Sequence, residues 1–163
     1  MPDGGRHVLE VLGLKTVFTT RGGEVHAVND VSFDLAPGEV LGVVGESGSG
    51  KSVTMMSLIG LLPSPPAEVR NGRVLLNGED LLTVPASRMR QVRGGEVGFV
   101  FQDPMTSLNP VFTVGYQLAE PLRHHMGMTK RAARARSVEL LELVGIPDAP
   151  ARLNDFPHQF SGG

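Results

Sequence analysis

Val40-Leu41-Gly42-Val43-Val44-Gly45-Glu46-Ser47-Gly48-Ser49-Gly50-Lys51-Ser52 is the stretch that decides the fold. Its first five residues form a continuous apolar run, the pattern of a strand buried on both faces. Residues 45–52 then satisfy G-x-x-x-x-G-K-S at every fixed position, and a helix-compatible segment follows. Gly45, Gly48 and Gly50 let the backbone curl without Cβ clashes. The backbone from Gly45 through Glu46, Ser47, Gly48, Ser49, Gly50, Lys51, Ser52 and Val53 can then turn its N–H groups inward as an anion nest. The new helix adds the positive end of its dipole. Lys51 reaches the β- and γ-phosphates as a compact cation, and the Ser52 hydroxyl ligates magnesium. The sequence thus predicts a phosphate-binding P-loop that takes ATP with Mg2+, Lys51 serving catalysis as well as binding. A glycine-rich turn that binds nothing needs no such coincidence of strand, spacing, Lys-Ser and helix.

Upstream, residues 8–18 alternate and are β-rich, predicting a strand. Thr20-Arg21-Gly22-Gly23 reads as a turn and residues 25–35 as a second strand, so the pair makes an antiparallel hairpin. Ala36-Pro37-Gly38-Glu39 is another turn. Downstream, the helix after the P-loop is expected to run to about Leu62, where Pro63, Pro65 and Pro66 end it. Asn77-Gly78 marks a hairpin between residues 72–76 and 78–82. Residues 86–93 suit a short basic helix, and Val97-Gly98-Phe99-Val100-Phe101 a second apolar strand. Beyond it, residues 112–126 and 130–144 read as helices with no strand between them. The second has Val138, Leu141 and Val144 at spacing three on one face, with Gly145 and Pro147 as stop signals. The expected architecture is α/β, with a P-loop NTPase core and an antiparallel β subdomain over about 1–104 and a helical subdomain over about 105–163.

Chain length and composition narrow the class. A chain of 163 residues with 40% apolar and 20% charged residues suits a globular protein. The formal net charge of −2 speaks against a nucleic-acid partner, which requires a basic excess. With no cysteine there is no disulfide, thiolate metal site or cysteine nucleophile. The first residues lack the apolar core of a signal peptide, and no stretch approaches the roughly 18–20 apolar residues that span a bilayer. These features predict a cytoplasmic chain that can sit against a membrane protein.

Other strings carry a resemblance to a known family. Val28-Asn-Asp-Val-Ser-Phe33, Gly38-Glu39, the P-loop, Gln102 and Phe160-Ser161-Gly162-Gly163 together resemble the nucleotide-binding subunit of ABC transporters. Gln102-Asp-Pro-Met-Thr-Ser-Leu-Asn-Pro-Val111, Thr113-Val-Gly-Tyr-Gln117 and Phe156-Pro-His-Gln-Phe-Ser-Gly-Gly163 resemble the dipeptide, oligopeptide and nickel importers of that family. The resemblance implies an ATPase on the cytoplasmic face of the membrane that powers peptide uptake. Its partners would be a second ATP-binding subunit, transmembrane permease subunits and, indirectly, an extracytoplasmic solute-binding protein. Nickel or another small solute, and a soluble ABC ATPase without transport, remain alternatives.

The resemblance also assigns roles. Gln102 would touch magnesium or the attacking water, as a metal-side and catalytic residue; by itself it is an ordinary polar loop residue. Ser161, Gly162 and Gly163 would contact the γ-phosphate held by a partner's P-loop; alone, they read as a flexible linker. Phe18 lies where the family stacks an aromatic ring on adenine, and it suits a buried strand position equally. His124-His125, the Arg131, Arg134 and Arg136 face and Met55-Met56 have plainer readings as adjacent helix residues, a solvated face and packing. His158 precedes the Ser-Gly-Gly and so does not match the family's switch histidine. Asp80 and Asp103 follow no suitable apolar run. The family's Walker B strand, D-loop and switch histidine would lie after Gly163, so the resemblance implies a fragment truncated before Walker B that binds ATP and hydrolyses it slowly or not at all, and that exposes apolar sheet edges.

Overall fold

The alternating run near the N-terminus builds β1 (Leu9–Thr20), which turns back into β2 (Gly23–Leu35). The computed structural model describes residues 7–101 and 107–160. Its contacts divide the chain into Met1–Val92 and Arg93–Gly163. In the first unit, α1 (Lys51–Leu58) follows the P-loop, and β3 (Ala67–Leu76) and β4 (Glu79–Asp80) complete a four-stranded sheet. The strand order is β2-β1-β3-β4, antiparallel at every pairing. Asn77 and Gly78 both take positive φ, 50° and 86°, which is the primed turn their sequence predicts for a tight hairpin. Val11, Leu14, Val17, Val28 and Val74 are buried on this sheet.

β1 does not keep strict alternation. Thr16 and Val17 are consecutive and both buried. The pairing shifts at the same point: Thr16 faces Val28 and Val17 faces His26, so the register passes over Ala27 on β2. On the other side Lys15 faces Asn71 and Thr16 faces Val69, so it passes over Arg70 on β3. Two bulges at one level of the sheet increase its local twist and re-aim the side chains there. Arg70 makes a two-pronged hydrogen bond to Glu24 and one to Glu68 at 3.1 Å. Because β2 and β3 flank β1, the Arg70–Glu24 pair spans the central strand. Its hydrogen bonds hold the Glu24 carboxyl below the ordinary glutamate range.

The first unit ends at Val92, within α2 (Ala86–Gly95), which is basic as expected and leaves helical geometry at Arg93 and Gly94. In the second unit, α3 (Val114–Met126) and α4 (Lys130–Leu143) form the two predicted helices, followed by α5 (Ala149–Arg152) and a 3-10 turn at Pro157–Gln159. Thr113 and Thr129 cap α3 and α4 by accepting from Tyr116 N and Ala132 N at 3.3 Å each. Val114, Leu141, Ala149 and Leu153 make the core, with Leu118, Val138, Ile146 and Phe160 packed on it. The N-terminus of α3 is tied down by Val114 N and Gly115 N donating to Asp155 O and Leu153 O at 2.9 Å.

Four expectations need correction. Val40–Val44 is not a strand, and Val40 and Val44 are each 93% exposed rather than buried. Val97–Phe101 forms no ladder beyond a single Arg93–Val97 bridge, and Val100 is 95% exposed. Apolarity marks a segment able to be a parallel strand; the ladder itself needs hydrogen-bonding neighbours, and no described segment supplies them. The helix after the P-loop stops at Leu58, before the prolines. Gly60, at φ 59°, closes it with Gly60 N donating to Ser57 O and Leu61 N to Met56 O, the paired bonds of a Schellman stop. Val144 is 70% exposed, because it is the cap that follows α4 and has left helical geometry.

Candidate functional site

The P-loop keeps its shape through Lys51. The ammonium donates to Gly45 O and Glu46 O at 2.7 Å and to Ser49 Oγ at 3.2 Å. All three of its protons are therefore engaged by the loop that it closes. Ser49 N donates to Glu46 O at 3.2 Å, turning the loop back on itself. Gly50 ends the loop and caps α1 in the left-handed region, φ 90°. Thr54 then returns two bonds to Gly50 O, from its amide at 2.8 Å and its hydroxyl at 2.9 Å.

Gly50 is a steric necessity, whereas a side chain at Gly45 would only require the exposed Ser49 hydroxyl to turn away. A Cβ on Gly50 would lie 2.4 Å from the carbonyl oxygen of Ala27, the residue that the β1–β2 register passes over. A Cβ on Gly45 would lie 2.7 Å from Ser49 Oγ. The loop is thus wedged against a bulge of the antiparallel sheet. Glu46, Ser47 and Ser49 are exposed, as is Ser52 on the first turn of α1, while Lys51 and Val53 are half-buried. The donor set suits a phosphate: backbone amides at a helix start, one ammonium and one exposed hydroxyl.

Phe18 is half-buried near the end of β1, paired with Val25 on β2 and Ala67 on β3. Gln102, Ser161, Gly162 and Gly163 lie outside the described residues. Sequence reasoning missed Thr16 and Ser57. Thr16 Oγ1 lies 2.9 Å from Ser57 Oγ, with both residues fully buried. No sequence signal marks the pair, since regular alternation gives no hint of where a bulge falls.

In the helical unit, Gln117 organises the loop that precedes α3. Its Oε1 accepts from Asn109 N at 2.8 Å, and its Nε2 donates to Asn109 O and Phe112 O at 2.8 and 2.9 Å. The loop and α3 together display Val111, Phe112 and Tyr116, all exposed, with the two rings stacked at 4.9 Å. His125 packs near Gly94 and Gly95. No cluster of metal-ligating side chains occurs among the described residues, and no helix among them is long and apolar enough to cross a membrane.

A P-loop wedged on an antiparallel sheet, with a separate helical unit, defines an α/β nucleotide-binding cassette. The family model described as ABC transporter matches residues 28–163, and the chain belongs to that family. It is 53% identical over 156 residues to an oligopeptide transport ATP-binding protein of Bacillus subtilis, covering 96% of this chain and 44% of that protein. A dipeptide transport ATP-binding protein of the same organism is also 53% identical over 156 residues, with 96% and 47% covered. The chain thus spans about half the length of the curated relatives it matches. A solved dimeric bacterial ABC transporter cassette shares the fold at TM-score 0.78 and 22% identity, covering 94% of this chain and 63% of that one.

Proposed function

We propose that the chain is the nucleotide-binding part of an ATP-binding subunit that energises import of dipeptides or oligopeptides. The observation that carries the reading is the Lys51-closed loop at the start of α1, whose amides and ammonium are a donor set suited to phosphate. The relatives' names supply the solute class. Lys51 holds the β- and γ-phosphates by exchanging loop carbonyls for phosphate oxygens. Ser52, exposed on the first turn of α1, and Gln102 are the residues that would hold magnesium, which neutralises charge on the β- and γ-phosphates. Phe18 offers a ring for adenine. A cassette of similar fold is described as dimeric and bound to ADP and Pi; by analogy Ser161, Gly162 and Gly163 face the nucleotide of a second subunit. Transmembrane permease subunits are the further partners, on the cytoplasmic face of the membrane. The stacked Phe112–Tyr116 ridge, held by Gln117, has the chemistry of a protein contact.

Hydrolysis requires a group that polarises the attacking water, and neither Asp80 nor Asp103 has the sequence context for it. The 163 residues alone are therefore expected to bind ATP without steady turnover. Equilibrium binding of labelled Mg·ATP tests the reading: Lys51→Ala should weaken it at least tenfold, on the order of the loss of a charge-assisted hydrogen bond. Tight binding unaffected by the substitution overturns the proposal.

A further inference from the structure

The sheet does more than carry the P-loop; its bulge sets the position of the helix behind it. Ser57 Oγ donates its proton to Val53 O at 2.7 Å. A hydroxyl has one proton to give, so in the 2.9 Å contact with Thr16 it is Thr16 that donates and Ser57 that accepts. Both side chains are 0% exposed, so water does not compete for the bond. Thr16 reaches inward where the register passes over Ala27, and the Ala27 carbonyl in turn faces Gly50 at the loop's end. The bulge therefore grips the phosphate-loop helix at both ends, at its left-handed cap through Ala27 and at its last turn through Thr16. Two residues further along the same strand stands Phe18.

The geometry points to Thr16 as a positioning residue for the nucleotide: its hydroxyl fixes α1 on β1, and with it the placement of the phosphate cradle relative to the ring of Phe18. This rests on the ATP reading above. Thr16→Val keeps shape and burial but puts a methyl where the donor was, so the contact with Ser57 Oγ becomes repulsive. Thr16→Ser keeps the donor.

The test is a set of Mg·ATP dissociation constants, with thermal unfolding of each variant measured without nucleotide. Thr16→Val and Ser57→Ala are each expected to weaken binding roughly three- to tenfold, the worth of one net hydrogen bond. Thr16→Ser should stay within about twofold of the parent, and the double variant should lose no more than Ser57→Ala, because the two share one bond. Lys51-dependent binding that is equal in the parent and Thr16→Val, with only the unfolding temperature lowered, overturns the inference and leaves the ATP reading standing. Losses that add in the double variant overturn it as well. Absence of Lys51-dependent binding in the parent overturns both. If Thr16→Val does not fold, Thr16→Ser and Ser57→Ala still decide: equal affinity in Ser57→Ala refutes the positioning role.

Discussion

Replacing Gly50 by alanine places a Cβ 2.4 Å from the Ala27 carbonyl oxygen, while Gly48→Ala at φ 81° meets nothing within 4 Å. The two positions separate backbone conformation from steric overlap. Each variant carries the left-handed penalty of an L-residue, about 1–2 kcal/mol. Each also gains the same reduction in unfolded-chain entropy, roughly 0.4–1 kcal/mol. Only Gly50→Ala adds overlap with packed backbone, which costs about 1–3 kcal/mol. The difference between the variants should therefore be about 1–3 kcal/mol, a sizeable fraction of the roughly 5–15 kcal/mol that holds a domain together. Equilibrium urea unfolding of the parent and both variants, with midpoints and slopes fitted together, measures it. Mg·ATP affinity should fall in the same order. Equal losses, or a larger loss at Gly48, would refute the idea that the loop is wedged against the β2 bulge.

In the helical unit, Leu153→Ala empties a side chain that is 1% exposed and should cost about 2–5 kcal/mol, whereas Leu143→Ala, at 79% exposure, should stay within about 0.5 kcal/mol; urea midpoints compare them. Gln117→Leu removes three hydrogen bonds to the 109–112 backbone, so amide exchange there should accelerate while exchange in α4 is unchanged; uniform protection would contradict that local role. Arg70 hydrogen bonds lower the Glu24 pKa below 4.5, so the stabilisation is complete above 4.5 and is lost as pH falls through the lowered value. An Arg70→Gln chain should accordingly show a shallower fall in unfolding midpoint on acidification than the parent, and identical acid limbs would exclude the contribution.

The parts legible in the sequence are those fixed by local chemistry. The β1–β2 hairpin, the Asn77-Gly78 turn, the helices α3 and α4, and the Gly145 stop each follow from residues adjacent in the chain. The P-loop is legible for the same reason, since spacing alone dictates where its glycines and Lys51 fall. Features that depend on distant partners were not. Whether Val40–Val44 becomes a strand depends on neighbours for its ladder, which apolarity cannot supply. The end of α1 is a local exception: Gly60, nearer than Pro63, is the sufficient stop. The bulge at Ala27 arises from a mismatch between two strands, and neither strand shows it alone. Thr16 likewise meets Ser57 forty-one residues away, a pairing that left no mark in the pattern.

The three bonds from Lys51 to its own loop have a calorimetric consequence. With its ammonium already enclosed by Gly45, Glu46 and Ser49, the loop does not have to be ordered when a phosphate arrives; one set of oxygen acceptors is exchanged for another. Capture of the triphosphate should then show a small heat-capacity change, unlike coupled folding and binding, and an on-rate governed by encounter rather than by a conformational step. The carbonyls of Gly45 and Glu46 and the Ser49 hydroxyl hold the ammonium as phosphate oxygens would, so the loop's shape is set by its own contacts.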